Sequence, residues 1–412
     1  MMIKRHLSPS VAEALKDTPV VLLVGARQTG KSTLVLSLLG GHPTRRYLTL
    51  DDQGVLDAAQ SDPAGFLAGL DGPVTLDEVQ KAPELFPAMK AVVDRDRVPG
   101  RYLLTGSANV LLLPKLSESL AGRMEVQTLW PLSQGELAGR RETFLDEVFK
   151  SKFSPSLLKK GGATDWMVRA CLGGFPEVAI RSSASRRRAW FRSYLTTVLS
   201  RDARDLANIE SLASLPRLLS LLASRTASLL NYADLSRSLG MPQSTLKRYM
   251  GLLQALFLYY PLPAWSSNLG QRLIKSPKVL LSDTGLLTFL TGASPDRFRQ
   301  DPTLSGHLLE SFVAMELVKQ VSWPETQVQL FHFRTLAGTE VDLVLEDQAG
   351  RVVGLEVKAS ATPSSTDFRG LRALADCAGE KFVRGILLYT GQEVVPFAKN
   401  LTAMPLAALW ES

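Results

Sequence analysis

Cysteine is nearly missing from this chain: its 412 residues carry two, Cys171 and Cys377, far apart. That excludes a disulfide framework and a thiolate zinc site, and it predicts a reducing, cytoplasmic setting. Histidine is sparse as well, with four in all; His307 and His332 stand alone in apolar surroundings and read as core or surface residues rather than ligands. No apolar run suits a bilayer, because the stretch from Leu252 to Leu262 is too short and carries Pro261. The opening Met1-Met2-Ile3-Lys4-Arg5-His6-Leu7 lacks the apolar core of a secretory leader, so no membrane association is expected. Repeats and low-complexity tracts are absent too. What is there is 45% hydrophobic and 21% charged, ordinary for a globular chain and, at about 150 residues per domain, enough for two or three domains. The net charge of +7 fits a polyanionic partner without requiring one.

The most informative stretch is an apolar strand, Pro19 to Val24, followed by Gly25-Ala26-Arg27-Gln28-Thr29-Gly30-Lys31-Ser32 and a helical segment from Thr33 to Leu39. Strand, glycine-bounded loop and helix are the context in which successive backbone N–H groups cradle phosphates and the helix end adds partial positive charge. Residues 25–33 are therefore the expected ATP site. Lys31 supplies a point charge to the phosphates, and Ser32 can set its hydroxyl on Mg²⁺. Apolar strands then alternate with amphipathic helices, the signature of a parallel sheet wrapped by helices. Val74-Thr75-Leu76 ends in Asp77-Glu78: one carboxylate can hold the water shell of Mg²⁺ while the other orients the attacking water. The strand from Arg101 to Leu104 ends in Thr105-Gly106-Ser107-Ala108-Asn109, with Thr105 the leading γ-phosphate sensor. Leu116 to Arg123 reads as a helix stopped by Gly122.

In this order and spacing, GxxxxGKS, Leu-Asp-Glu-Val-Gln, Leu-Thr-Gly-Ser and Leu-Ala-Gly-Arg resemble the AAA-type ATPases of bacteria and archaea that carry a nuclease-like C-terminal domain. The resemblance covers essentially the whole chain. It assigns Arg123 to the γ-phosphate of a neighbouring subunit, which implies an oligomer, with a ring expected; a local helix-capping cation is the alternative. Cys171-Leu172-Gly173-Gly174-Phe175-Pro176-Glu177 matches a further element of that family, to which the residues alone give no role.

Beyond the breaker-rich connection from Lys150 to Gly162, Arg181, Arg186, Arg187, Arg188, Arg192, Arg201 and Arg204 outweigh Asp202 and Asp205, with Trp190, Phe191 and Tyr194 interleaved. Two readings stand: a buried aromatic stripe with solvated arginines, or a phosphate-contacting surface. Asn231 to Gly240 resembles the first helix of a helix-turn-helix, Gly240-Met241-Pro242 the turn, and Ser244 a cap for the second helix. Gln243, Ser244, Thr245, Lys247 and Arg248 would sit where such helices meet a DNA groove, with a wing built from Phe257 to Tyr260 and Lys278 to Leu281.

From Leu304 the order helix, three strands, helix, strand matches the core of the PD-(D/E)XK nucleases. Asp342 lies on the second strand; Glu356 and Lys358 share a face of the third. The resembled chemistry is metal-assisted phosphodiester hydrolysis, Asp342 and Glu356 holding Mg²⁺, Lys358 positioning water or stabilising charge, and Glu310 completing the shell. The expected layout is thus α/β: an AAA-type domain over residues 1–148, a helical and winged-helix domain over 163–300, and a nuclease-like domain over 304–412. An ATPase acting on DNA is the leading expectation. A slow nucleotide-controlled switch or transcriptional regulator, and a protein-binding ATPase with an inert nuclease fold, compete with it.

Overall fold

Five consecutive apolar residues form strand β1, Val20–Val24, and all five are buried. Such continuous runs suit a strand covered on both faces. A computed structural model describes residues 3–40, 44–109, 120–151, 153, 165–206 and 213–411. Around β1 lie β2 (Arg46–Thr49), β3 (Val74–Asp77), β4 (Tyr102–Gly106) and β5 (Met124–Thr128), all parallel in the order β2-β3-β4-β1-β5. On one face Leu7, Val11 and Leu15 beside the first helix, with Leu34 and Val35 of the helix Lys31–Leu39, bury Val21 and Leu23. Each such side chain contributes about 1.5–3 kcal/mol of burial. Because the strands are parallel, Val24, Asp77 and Gly106 all end at one edge. Residues 200–208 and 250–258 pack with residues 1–131 in this first unit.

The second unit comprises residues 132–199, 209–249 and 259–412. The expected middle and last segments share it with residues 132–148 of the expected first domain, whose polar groups interlock with the last segment. Glu316, buried in the helix Pro302–Gln320, accepts the backbone N–H of Gln134 at 2.8 Å and pairs with Lys319 at 2.6 Å, while Lys319 donates to the Leu132 carbonyl at 3.0 Å. Burial raises the Glu316 carboxyl above its ordinary range despite Lys319.

Here too are the helices Tyr232–Leu239 and the start of Gln243–Ala255, and a hairpin of β6 (Tyr259–Leu262) with β7 (Lys278–Leu281). The second helix begins at Gln243, so Ser244 stands in its first turn rather than capping it. The hairpin begins at Tyr259, not Phe257. A six-stranded mixed sheet follows: β8 (Val328–Arg334), β9 (Glu340–Asp347), β10 (Val352–Lys358), β11 (Phe382–Tyr389), β12 (Val395–Ala398) and β13 (Leu401–Pro405), in the order β12-β13-β11-β10-β9-β8. The helix Arg369–Ala378 lies between β10 and β11 in the chain and buries Leu371 and Leu374 in the sheet's core cluster. Strands β12 and β13 carry Pro396 and Pro405, whose missing N–H groups mask their strand character in sequence.

The Gly-Gly-Phe-Pro element now has a structural account. Gly174 donates its N–H to Asp283 at 2.7 Å, and a Cβ at Gly174 would lie 2.1 Å from the Leu132 carbonyl oxygen. Asp283 also caps the helix Thr284–Thr291 through Leu286 N–H at 2.9 Å. Phe175 sits among Trp190, Phe191 and Tyr194, with ring centroids 5.0–6.0 Å away. The aromatics thus form the packed stripe, while Arg186, Arg188, Arg192, Arg201 and Arg204 are exposed. Arg181 pairs with Glu177 at 2.8 Å. Residues 116–119 of the expected helix before Arg123, and most of the connection between Lys150 and Gly162, lie outside the described residues. Among the described residues no helix is long and apolar enough to cross a membrane.

Candidate nucleotide-binding site

The loop between β1 and the helix Lys31–Leu39 needs residues without large side chains where it turns. A Cβ at Gly25 would lie 2.2 Å from the Leu129 carbonyl oxygen, and Gly30 has φ +93°, a left-handed conformation that glycine adopts at least cost. Gln28 is also left-handed, at φ +62°, and exposed. Thr29 is buried and donates to the Ala26 carbonyl at 2.9 Å, closing the loop on itself. Lys31 folds its buried ammonium over the loop, donating to Gly25 at 3.0 Å and Ala26 at 2.9 Å. Burial lowers its pKa to about 8, against the opposing pull of Glu78 and Asp77. Thr33 is exposed on the helix. Arg27 pairs with Asp202 at 3.2 Å.

The sheet edge brings the expected carboxylates to this loop. Ser32 donates to Asp77 at 2.9 Å, and Thr105 donates to the other oxygen of the same carboxylate. The Thr105 hydroxyl also accepts the Glu78 backbone N–H at 3.1 Å. Glu78 itself sits at φ +60°, a strained conformation for a residue with a Cβ, and it turns the chain out of β3. Oxygen donors alone, one hydroxyl and one carboxylate beside a phosphate loop, suit a hard divalent cation. Ser32 and Asp77 are the residues that would hold Mg²⁺ there.

Three further side chains belong to the site; Tyr47 and Arg5 have no sequence signal of their own, and Gln80 closes the Leu-Asp-Glu-Val-Gln motif, which by itself gives it no role. Tyr47 on β2 donates to Asp77 at 2.7 Å; burial, then that bond, raise its phenol pKa. Gln80 donates to the Glu78 carboxylate and, at 2.8 Å, to Ser107. Buried Arg5 donates to the carbonyls of Thr29 and Trp130, each at 2.7 Å, fastening the phosphate loop from behind. Tyr47 lies two residues before the end of β2, on the face that also bears Thr49, which pairs in register with Asp77. Strand pairing is what makes it visible.

Arg123 is not brought to this site. It precedes β5 at the opposite edge of the sheet, where its carbonyl accepts Val20 N–H at 3.3 Å, and its guanidinium donates to Asp94 and to Ala121. The length of β1, about 13 Å at 3.3 Å per residue, separates that edge from the phosphate loop.

The four polar residues expected in the nuclease-like segment do cluster, and a fifth joins them. Lys278 of β7 lies 2.5 Å from Glu310 and 3.6 Å from Asp342. Lys358 pairs with Glu356 at 2.9 Å, and the second oxygen of Asp342 accepts Val357 N–H at 2.9 Å. Burial opposes the charge of Lys278, yet Glu310 and Asp342 overcome it and hold its pKa above the ordinary lysine value. Burial, and then the Asp342 charge, push Glu356 up to about 8. With an ammonium already among the carboxylates, the expected Mg²⁺ set of Asp342 and Glu356 does not fit. The exposed Gln243, Ser244, Lys247 and Arg248 and half-buried Thr245 lie in the first two turns of the helix Gln243–Ala255, with Lys247 5.6 Å from the centre of the Tyr232 ring. His332, its Nε2 3.1 Å from the Ser276 carbonyl, is a core residue whose burial lowers its pKa to about 4.

This parallel sheet and phosphate loop form a P-loop fold, and residues 17–138 match the AAA domain family. Residues 163–297 and 305–409 match two domains of unknown function, DUF8612 and DUF4143. The chain is 34% identical over 406 residues to the uncharacterized protein Mb2031c of Mycobacterium bovis and to the uncharacterized protein Rv2008c of Mycobacterium tuberculosis, matching 98% of this chain and 83% of each of theirs. It belongs to the family of those two mycobacterial proteins. Among solved structures it is similar to the Walker-type ATPase PABY2304 of Pyrococcus abyssi, at 16% identity and a TM-score of 0.42, covering 70% of this chain and 96% of that one. It is also similar to the RuvB Holliday junction branch migration motor of Thermotoga maritima, at 20% identity and a TM-score of 0.28, covering 62% and 87%.

Proposed function

We propose that the protein binds Mg²⁺-ATP at residues 25–33, hydrolyses it, and uses the cycle to remodel or translocate DNA. The observation that carries the nucleotide half is the joining of Ser32, Thr105 and Tyr47 on one carboxylate, Asp77, beside the Lys31 ammonium. Mg²⁺ on Ser32 and Asp77 would neutralise charge developing on the phosphates. Lys31 leaves its two carbonyls for the phosphate oxygens, Thr105 reports their presence to Asp77 and to the Glu78 backbone, and the Glu78 carboxylate orients the attacking water. Arg123 acts on the γ-phosphate of an adjacent subunit in an oligomer, a role consistent with its remoteness from its own loop. DNA contact is assigned to Gln243, Ser244, Thr245, Lys247 and Arg248, which would bind phosphates with little sequence preference and strong salt dependence.

The test is ATP turnover with no DNA and with single-stranded, duplex and four-way DNA, alongside Lys31→Ala and Lys247→Ala/Arg248→Ala. DNA stimulation that disappears in the double variant supports the reading; turnover indifferent to every DNA removes its second half. Mixing Lys31→Ala with Arg123→Ala protomers tests action in trans: partial recovery is expected, and none is predicted if Arg123 only pairs with Asp94. One observation favours a nucleotide-controlled switch with slow turnover as the second reading. Gln80 holds the Glu78 carboxylate in a hydrogen bond, anchored on Ser107, so the water-orienting group begins each cycle engaged elsewhere. Gln80→Ala raising the basal rate would favour that switch.

A further inference from the structure

Lys278 belongs to the hairpin β6–β7, not to the segment that resembles a nuclease, and its place is fixed from both sides. Its residue pairs with Leu262 across the hairpin and bridges Leu229, while the neighbouring Pro277 carbonyl accepts Leu230 N–H at 2.8 Å. The side chain is 4% exposed and enters the space between Glu310 of the helix Pro302–Gln320 and Asp342 of β9. The resemblance puts a divalent ion on Asp342 and Glu356 with Glu310 completing its shell, so the ammonium engages two of those three carboxylates. A divalent ion binds carboxylate oxygens at about 2.0–2.6 Å, and the ammonium, 2.5 Å from one oxygen and 3.6 Å from the other, takes up the volume that such an ion would need. The charge is supplied as well: one fixed cation offsets carboxylates that would otherwise face one another without water.

We propose that Lys278 is a built-in substitute for the metal, so that the nuclease-like sheet is a metal-free, non-cleaving body tied to the hairpin by a buried ammonium. Strand pairing holds the Lys278 backbone beside the carboxylates, and the ammonium lacks the Lewis acidity that lowers the pKa of a bound water. Lys358 and Glu356 pair with each other at 2.9 Å. The residue pattern Asp342, Glu356 and Lys358 is therefore kept as an ion-pair lattice.

The test is direct titration of the full-length chain with Mn²⁺, without nucleotide and in an Asp77→Asn background that removes the other cation site, read by electron paramagnetic resonance. No site that depends on Asp342 is expected up to millimolar Mn²⁺, and Asp342→Asn should leave the titration unchanged. Lys278→Met vacates the position, and an added Mn²⁺ site at least tenfold tighter than any in the parent should appear and be lost on adding Glu310→Gln. A parent chain that already binds Mn²⁺ through Asp342, or that cuts DNA with Mn²⁺ in a manner abolished by Asp342→Asn, overturns the proposal. So does a folded Lys278→Met chain that gains no Mn²⁺ site. Should that variant not fold, the parent titration against Asp342→Asn decides alone.

Discussion

Lys31 offers the sharpest test of the nucleotide site, because its charge in the empty protein differs from its charge with phosphate. Burial lowers its pKa to about 8 while it donates only to two neutral carbonyls. A triphosphate replaces those carbonyls with anionic oxygens, restoring a value near the ordinary lysine value of about 10.4. Above pH 8 binding must therefore take up a proton. At pH 9 about nine-tenths of the empty protein carries neutral Lys31, so uptake should approach about 0.9 proton per nucleotide, and affinity should fall roughly sixfold for each pH unit between 8 and 10. The nucleotide's own last phosphate proton, with a pKa of about 6, is gone by then and adds nothing.

Calorimetry at pH 9 in buffers of differing ionisation enthalpy measures that uptake directly. Stability carries the opposite sign. In the empty protein the folded state binds fewer protons than the unfolded chain between about pH 8 and 10.4, so Lys31 contributes a cost that is fully present below pH 8 and is relieved as pH rises through the window. A shift of about 2.5 units corresponds to about 3 kcal/mol. Saturating nucleotide should abolish that alkaline gain. Binding heats at pH 9 that do not vary with the buffer would refute both the burial argument and the placement of Lys31 at the phosphates.

Three other outcomes follow from contacts described above. Glu316→Ala strands the buried Lys319 ammonium and should cost about 3–5 kcal/mol in urea unfolding, whereas Glu316→Leu with Lys319→Met should recover most of that loss. Tyr47→Phe removes one of three hydroxyls from Asp77; with a charged hydrogen bond worth about 1.5–3 kcal/mol, kcat/KM for Mg²⁺-ATP should fall at least tenfold while the melting temperature stays within a few degrees. Gly174→Ala places a methyl 2.1 Å from the Leu132 carbonyl, where the backbone must shift, and thermal melting should show at least about 2 kcal/mol of destabilisation, with less for Ala at the open Gly251.

The nucleotide site was legible because its chemistry is local in sequence. Gly25 to Ser32 form one turn, and Asp77 ends an apolar strand whose parallel register with β4 carries it to Thr105. What the sequence hides is anything set by strand order. Tyr47 reaches Asp77 because β2 lies next to β3, and Gln80 reaches Ser107 because β3 lies next to β4; neither adjacency has a residue signature. Arg5 is hidden for a different reason. A cation near the chain start reads as solvated until its two carbonyl partners, Thr29 and Trp130, are seen to lie far away in sequence. The two helices Tyr232–Leu239 and Gln243–Ala255 were legible from Asn231, Gly240 and Pro242, whereas the start of the second was not, because Ser244 fits a cap as well as a first turn.

The segment expected to resemble a nuclease shows why a motif read within one segment can point to chemistry that a neighbouring element cancels. Glu310, Asp342, Glu356 and Lys358 fall at the spacing of a metal centre, and the fold does gather them. Yet counting charge over that segment alone leaves three carboxyls facing one ammonium, a surplus that invites a divalent ion. Adding Lys278, 32 residues before Glu310 in the chain, makes it three against two, and burial, which raises both Glu310 and Glu356, favours a proton kept among the carboxyls, so the cluster approaches balance near neutral pH without any metal. The same four residues thus describe a catalyst or a scaffold according to a lysine that lies outside the motif, and its position in a paired strand, rather than in a loop, makes the scaffold the stable outcome.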